Sequence, residues 1–159
     1  MKPFKRVARS ERGAELIEFA LVFPLLLMIV LGIVDFGFMF QRLEVVTNAA
    51  REGARIAVLP GYDDADIRTR VCDYVETGGV PVTGTCGATA ANPTVLVEDA
   101  DIPVDGSTIA GKRVLVTYTH NYLFLGGVGG VASWFGSGAA LTDVPLRGVA
   151  TMRVEVPVP

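Results

Sequence analysis

Glu18 is a carboxylate that lies beside an apolar stretch of the chain, and its type and position raise the first question of chemistry. No residue from Ala20 to Val34 is charged or strongly polar, so Glu18 falls at the start of a candidate membrane span. A carboxylate in a span costs about 2.5 to 3.5 kcal/mol near the bilayer centre and less nearer the edge. The simplest interpretation is that its side chain reaches back to the headgroups.

Cys72 and Cys86 are the only two cysteines in the chain. Outside the cytoplasm a disulfide between them can persist, and closing a loop of this size stabilises by about 3 kcal/mol in the chain-entropy model. The alternative is two free thiols, with Cys72 buried beside Val71 and Val75. The disulfide is the favoured prediction, and it depends on export of this part of the chain.

Other residue types that could carry catalysis or bind metal are sparse. His120 is the sole histidine, and no Gly-x-Ser-x-Gly turn accompanies it. One histidine and two cysteines make a poor zinc set. Asp99, Asp101 and Asp105 resemble a calcium loop only weakly, because Pro103 interrupts them and no glutamate closes the series, so acidic turn residues are the simpler interpretation. The sequence predicts no catalytic residue, no metal site and no cofactor.

The elements that position these residues begin with a basic leader and a span. The leader, Met1–Gly13, has five basic residues and one acidic residue, which favours retention of that end in the cytoplasm. A helix rises about 31 Å from Ala14 to Val34, the thickness of a bilayer core. No small-residue cleavage site follows, so we expect a retained single-pass span at about 14–40, with Asp35 at its outer interface.

Charge and length limit the rest of the chain. The net charge is −3 over 159 residues, and removing the contribution of the basic leader leaves −7 from Ala14 onward. This balance argues against nucleic acid as a partner. A long helix over 14–59 leaves 60–159 for one small extracytoplasmic head, which is periplasmic in a two-membrane cell.

The C-terminal part of the long helix carries a ridge of small side chains, formed by Ala49, Gly53 and Ala57. Gly53 costs about 1 kcal/mol relative to alanine inside a helix, which indicates close approach by a sheet or by another subunit. Glu52 lies within reach of Arg55, and a solvated face is the favoured interpretation of the arginines here.

The head is predicted to be α+β. Asp63 or Asp64 is the expected cap of a helix that ends at Thr77, and residues 78–93 read as a loop. Three alternating segments predict an antiparallel sheet with one face over the long helix: Thr94–Glu98, Arg113–Thr119 and Gly148–Val156. Residues 121–138 are apolar and glycine-rich, and two interpretations stay open: a loop or short helix under the sheet, or a patch that touches lipid or a neighbouring subunit.

Gly13, four further residues, Glu18 and Phe19 together resemble the processing site of prepilins in the tight-adherence (Flp) branch of the type IV pilus family. The resemblance implies that a prepilin peptidase cuts between Gly13 and Ala14. It also implies that the new Ala14 amine pairs with Glu18 of a neighbouring subunit, and a shielded ion pair lowers the cost of both charges in lipid.

Residues 45–58 resemble the segment after the span in TadE-like proteins, and the ends of the head, 114–120 and 150–155, resemble the ends of the TadE-like head. Residues 78–93 match no pattern of that family. The resemblance implies a pilin-like fold and a minor pilin or pseudopilin that helps to assemble an adhesive pilus for surface attachment and biofilm. Its implied partners are other pilins and the assembly platform in the inner membrane.

Two other classes of protein remain as alternatives. The first is a single-pass, membrane-anchored binding module that is not processed at Gly13. The second is a tethered hydrolase, which would need a catalytic site that these residues do not supply.

Overall fold

The computed structural model describes residues 11–124, 126 and 143–154. Most of the leader, most of the apolar segment 121–138 and the end of the last predicted strand lie outside the described residues. The first element, α1, is a helix of 47 residues, Glu11–Ala57, with Pro24 inside it. It includes both the apolar span and the ridge of small residues, so the predicted long N-terminal helix is confirmed.

The second helix, α2, spans Asp64–Thr77, and its start follows from a capping box. The Asp63 carboxylate accepts hydrogen bonds from the backbone N–H groups of Ala65, at 2.8 Å, and Asp66, at 2.9 Å, while the Asp66 carboxylate accepts one from the Asp63 N–H at 3.2 Å. These bonds satisfy N–H groups that lack partners in the first turn. The apolar face of α2 is buried against α1 and contains Ile67, Val71, Cys72 and Val75.

Three strands form one antiparallel sheet in the order β1-β2-β3: β1 is Thr94–Val104, β2 is Ser107–His120 and β3 is Val144–Arg153. With the long N-terminal helix, this arrangement confirms the predicted α+β fold. One face of the sheet packs on α1, and its buried side chains include Val114, Val116, Tyr118 and Leu146.

The hairpin between β1 and β2 corrects the predicted strand boundaries. Asp105 and Gly106 both have positive φ, 47° and 81°, which suits the tight turn that joins two twisted strands. Both strands therefore continue to that turn, well beyond Glu98 and before Arg113, and β3 begins four residues earlier than predicted. Asp99, interpreted from the sequence as a turn residue, lies within β1 and pairs with Lys112 at 2.7 Å.

The residues between α2 and β1 form the predicted loop, which is held at two places. Thr83 and Asn92 pair through their backbones. The Asn92 side chain also donates to the Thr119 carbonyl and accepts from the Thr119 N–H, both at 2.8 Å. The loop is therefore fastened to the end of β2.

Candidate functional site

The residues of the resembled processing site lie together at the start of α1. Gly13 is partly buried, and every residue from Ala14 to Val30 is exposed. Phe19 is 62% exposed and stacks on Phe23 with ring centroids 5.2 Å apart. Ala14 and Glu18 are four residues apart and so share one side of the helix. The arrangement presents a peptide bond, a carboxylate and an aromatic ring on a free apolar helix.

By length and composition α1 could cross a membrane, and its most apolar stretch has no residue buried by the rest of the described chain. A core helix of a soluble protein of this hydropathy would be covered by its neighbours, because exposed apolar surface of this size is unfavourable in water. The helix therefore indicates a membrane anchor.

The predicted ridge of Ala49, Gly53 and Ala57 is buried inside the head. A Cβ added at Gly53 would lie 2.5 Å from a Val71 methyl on α2 and 3.1 Å from a Val114 methyl on β2. The close approach suggested by the sequence is therefore made by α2 and the sheet of the same chain. Gly148 of β3 is placed even more tightly, since a Cβ there would meet the backbone of α1 at Val46.

Glu52 of α1 is bonded to two arginines, and one of them connects α1 to α2. Its carboxylate accepts hydrogen bonds from Arg55, at 2.9 and 3.0 Å, and from Arg70 of α2, at 3.1 and 3.3 Å. The hydrogen bonds from Arg55 are the largest cause that lowers the Glu52 pKa to about 2, and those from Arg70 add to it against the opposing effect of partial burial. The sequence indicated Arg55 by its spacing, but it had no local signal for Arg70.

Asp35 has a structural role that the sequence did not indicate. Its side chain is fully buried, and its two carboxylate oxygens accept hydrogen bonds from the backbone N–H groups of Leu123, at 3.0 Å, and Phe124, at 2.9 Å. The sequence predicted only that Asp35 lies at the outer membrane interface, and it did not predict these hydrogen bonds. Backbone donors have no sequence signature, so no motif could have revealed them.

His120 lies near Asp35, at the point where β2 ends against α1. It is 1% exposed, and an Arg42 guanidinium N–H donates to its Nδ1 at 2.8 Å. Burial lowers the pKa of His120, and the nearby Arg42 charge lowers it further, against an opposing effect of Asp35. His120 is therefore neutral at pH 7, with Nδ1 as an acceptor. The Tyr122 ring packs edge-on against it, with centroids 5.4 Å apart.

These contacts make His120 part of a packed junction between helix and sheet.

In the part of the chain that the structure describes, no group of three or more His, Cys, Asp or Glu side chains could hold a metal ion. Cys72 and Cys86 form a disulfide with their Cα atoms 5.9 Å apart, which joins α2 to the following loop.

Residues 13–55 match the family model described as TadE-like protein. Over this segment the chain is similar to TadE-like proteins. The TadE-like segment begins at Gly13 and ends two residues before the end of α1, so it includes the apolar stretch and two residues of the ridge, Ala49 and Gly53. This similarity supports a connection of the protein with the Tad pilus system. No curated protein and no solved structure matches the chain.

Proposed function

We propose that the chain is a minor pilin or pseudopilin that takes part in assembly of a Tad/Flp-type adhesive pilus. It inserts once in the cytoplasmic membrane with its N-terminus inside and its head outside. A prepilin peptidase then cuts between Gly13 and Ala14, and the exposed apolar part of α1 packs beside other pilins. The role is structural rather than enzymatic.

The observation that carries this proposal is the position of the TadE-like match relative to the exposed part of α1. The match begins at Gly13, and the next 17 residues, Ala14 to Val30, are all exposed in the single chain. An apolar helix face that its own head leaves uncovered can pack against lipid and, during assembly, against like helices. This supports lateral packing of the span as the step that joins subunits.

The pairing of charges within that packing follows from helix geometry. Ala14 and Glu18 lie four residues apart, so the Ala14 amine of one subunit reaches Glu18 of a parallel neighbour shifted by about 6 Å along the axis. In lipid, an ammonium and a carboxylate attract strongly because water does not screen them. The pair therefore sets the axial register between neighbouring helices.

Substitution of Gly13 tests processing. We expect Gly13→Asp to leave the full-length precursor in the membrane, because a bulky charged side chain occupies the residue before the cut. The measurement is the N-terminal residue of the membrane-bound protein by mass spectrometry, with cells that lack active prepilin peptidase as the control. A wild-type protein that starts at Met1 in both strains would contradict the proposal and favour the anchored binding module.

Substitution of Glu18 tests subunit register separately from processing. We expect Glu18→Leu to be cleaved at the normal rate but to fail in assembly, because the Ala14 amine then lacks its carboxylate partner. Glu15→Leu is the matched control, since Glu15 is also exposed on α1 and has no place in the pair. Pilus numbers are counted by electron microscopy. Wild-type numbers with Glu18→Leu would remove the pairing role.

A further inference from the structure

The turn after β2 is held against α1 near the outer end of the apolar stretch. The two N–H groups that bond Asp35 belong to the backbone of Leu123 and Phe124. Because the backbone makes these bonds, the side chains are left free, and Leu123 is 67% and Phe124 37% exposed. A turn with two exposed apolar side chains is therefore fixed beside the helix.

The height of this turn along α1 follows from the helical rise. A hydrocarbon core of about 30 Å that starts at Ala14 ends near Val34, and one that starts just after Glu18 ends near Met39. Asp35 lies at the boundary in the first case and about 6 Å inside it in the second. In both cases Leu123 and Phe124 are at the level of the outer leaflet.

The surface around the turn is also apolar. Phe36, Phe38 and Phe40 of α1 are 45%, 43% and 62% exposed, and Tyr122 packs edge-on against Phe36 with ring centroids 6.3 Å apart. The next charged residue along the helix is Arg42, whose guanidinium lies over the Tyr118 ring at 5.8 Å. Tyrosine is enriched at membrane–water interfaces, where its ring lies at the level of the headgroups, so Tyr122 suits this boundary.

We propose that the turn Tyr122–Phe124 is a second membrane contact, with the Leu123 and Phe124 side chains in lipid of the leaflet that surrounds the outer end of α1. The occupant of this surface is lipid because the surface is continuous with the exposed span. The Asp35 carboxylate, which would be costly at this depth, is covered by the N–H groups of the turn. This inference rests on α1 as a membrane anchor and not on the pilus role.

Site-directed spin labelling of the full-length protein tests the proposal, in nanodiscs that hold one copy each. A nitroxide is attached to Leu123→Cys, and its accessibility to oxygen, which partitions into lipid, is compared with that to a water-soluble nickel chelate. Leu26→Cys is the lipid reference on the exposed span, and Ser107→Cys, at the tip of the β1-β2 hairpin, is the water reference.

The expected result is an oxygen-to-nickel ratio at Leu123 close to that at Leu26 and well above that at Ser107. A ratio like that at Ser107 would overturn the proposal, since the turn would lie in water. Low accessibility to both reagents would also overturn it, because the side chain would then be covered by protein. Since each disc holds one copy, a neighbouring subunit cannot produce the expected result.

A second variant tests the part played by Asp35. In the labelled Leu123→Cys protein, Asp35→Leu removes both acceptors, so we expect the oxygen-to-nickel ratio to fall towards that at Ser107. Asp35→Asn keeps an acceptor and should give a smaller fall. An unchanged ratio in Asp35→Leu would overturn the claim that Asp35 holds the turn in the leaflet. An intact Cys72–Cys86 disulfide reports that the head of each variant has folded.

Discussion

The two halves of α1 are one continuous helix in two different environments. From Ala14 to Val30 every residue is exposed, whereas Val46, Ala49, Ala50 and Ala54 are fully buried. The first half has large apolar side chains, and the second has small ones that admit α2 and the sheet at close range. Packing against the head therefore accounts for the residue types of the second half, whereas the residue types of the first half suit surroundings outside the single chain.

The largest expected effect is a loss of stability that is confined to the head, and it follows from removal of the disulfide. Replacing Cys72 and Cys86 together by alanine should lower the stability of the head by about 3 kcal/mol, because the unfolded chain gains freedom in a loop of this length. In a head of this size that loss lowers Tm by about 12 to 24 °C. The far-UV signal of the span in detergent should persist through this transition.

Thermal unfolding of the full-length protein, followed by circular dichroism, gives the Tm and the stability of the head. Wild-type protein with reductant is the matched control. A loss within about 0.5 kcal/mol, the range of ordinary surface substitutions, would contradict the prediction.

A smaller difference should follow from the same substitution made at two glycines of α1. Gly53→Ala places a methyl 2.5 Å from a Val71 methyl, so we expect a net loss of about 1 to 2 kcal/mol from overpacking. Gly37→Ala has no atom within 4 Å of the new Cβ and should keep or raise stability, since alanine favours a helix.

Denaturant midpoints of the two variants in the same detergent check these opposite signs. Equal losses of stability in Gly53→Ala and Gly37→Ala would contradict the contrast between a covered and an uncovered part of the helix. Unchanged folding of Gly37→Ala with impaired pilus assembly would sharpen it, because a partner would then use that free surface.

The smallest expected effect is the loss of the ion pairs of Glu52. Its arginine partners are more than half exposed, so Glu52→Gln should cost only about 0.2 to 1 kcal/mol at pH 7. The folded protein lowers the Glu52 pKa from 4.5 to about 2. Between these values the unfolded chain binds more protons, so the stabilisation is complete above pH 4.5 and is lost as the pH falls towards 2.

Stability of wild type and Glu52→Gln is therefore compared between pH 7 and pH 3, where the difference should shrink. Glu44→Gln serves as the control, since Glu44 is exposed on the same helix. A difference that stays constant over this range would assign the effect of Glu52 to packing rather than to its charge.

Local patterns in the sequence were sufficient to predict both helices and the antiparallel sheet. The predicted long helix, 14–59, differs from Glu11–Ala57 by a few residues, and the capping aspartate of α2 was one of the two proposed. Helical and strand periodicity and helix capping depend on neighbouring residues only, which is why these elements could be read directly.

Contacts between distant residues could not be read in this way. Asp35 bonds to backbone N–H groups 88 and 89 residues later, and Glu52 bonds to Arg70 on another helix. The strand boundaries were missed for a different reason, since Asp105-Gly106 carried a hairpin signal that was interpreted as part of an acidic turn region. The contacts that join the head to α1 could therefore be identified only from the three-dimensional structure.

The unbroken course of α1 has a mechanical consequence. A force that draws the span out of the bilayer is transmitted along one hydrogen-bonded rod, and each residue extracted raises the head by about 1.5 Å. Pro24 is the weakest point of that rod, because its ring removes a backbone hydrogen bond to Ala20. A bend under that force is therefore expected near Pro24, while the part of the helix that packs against the head moves with it.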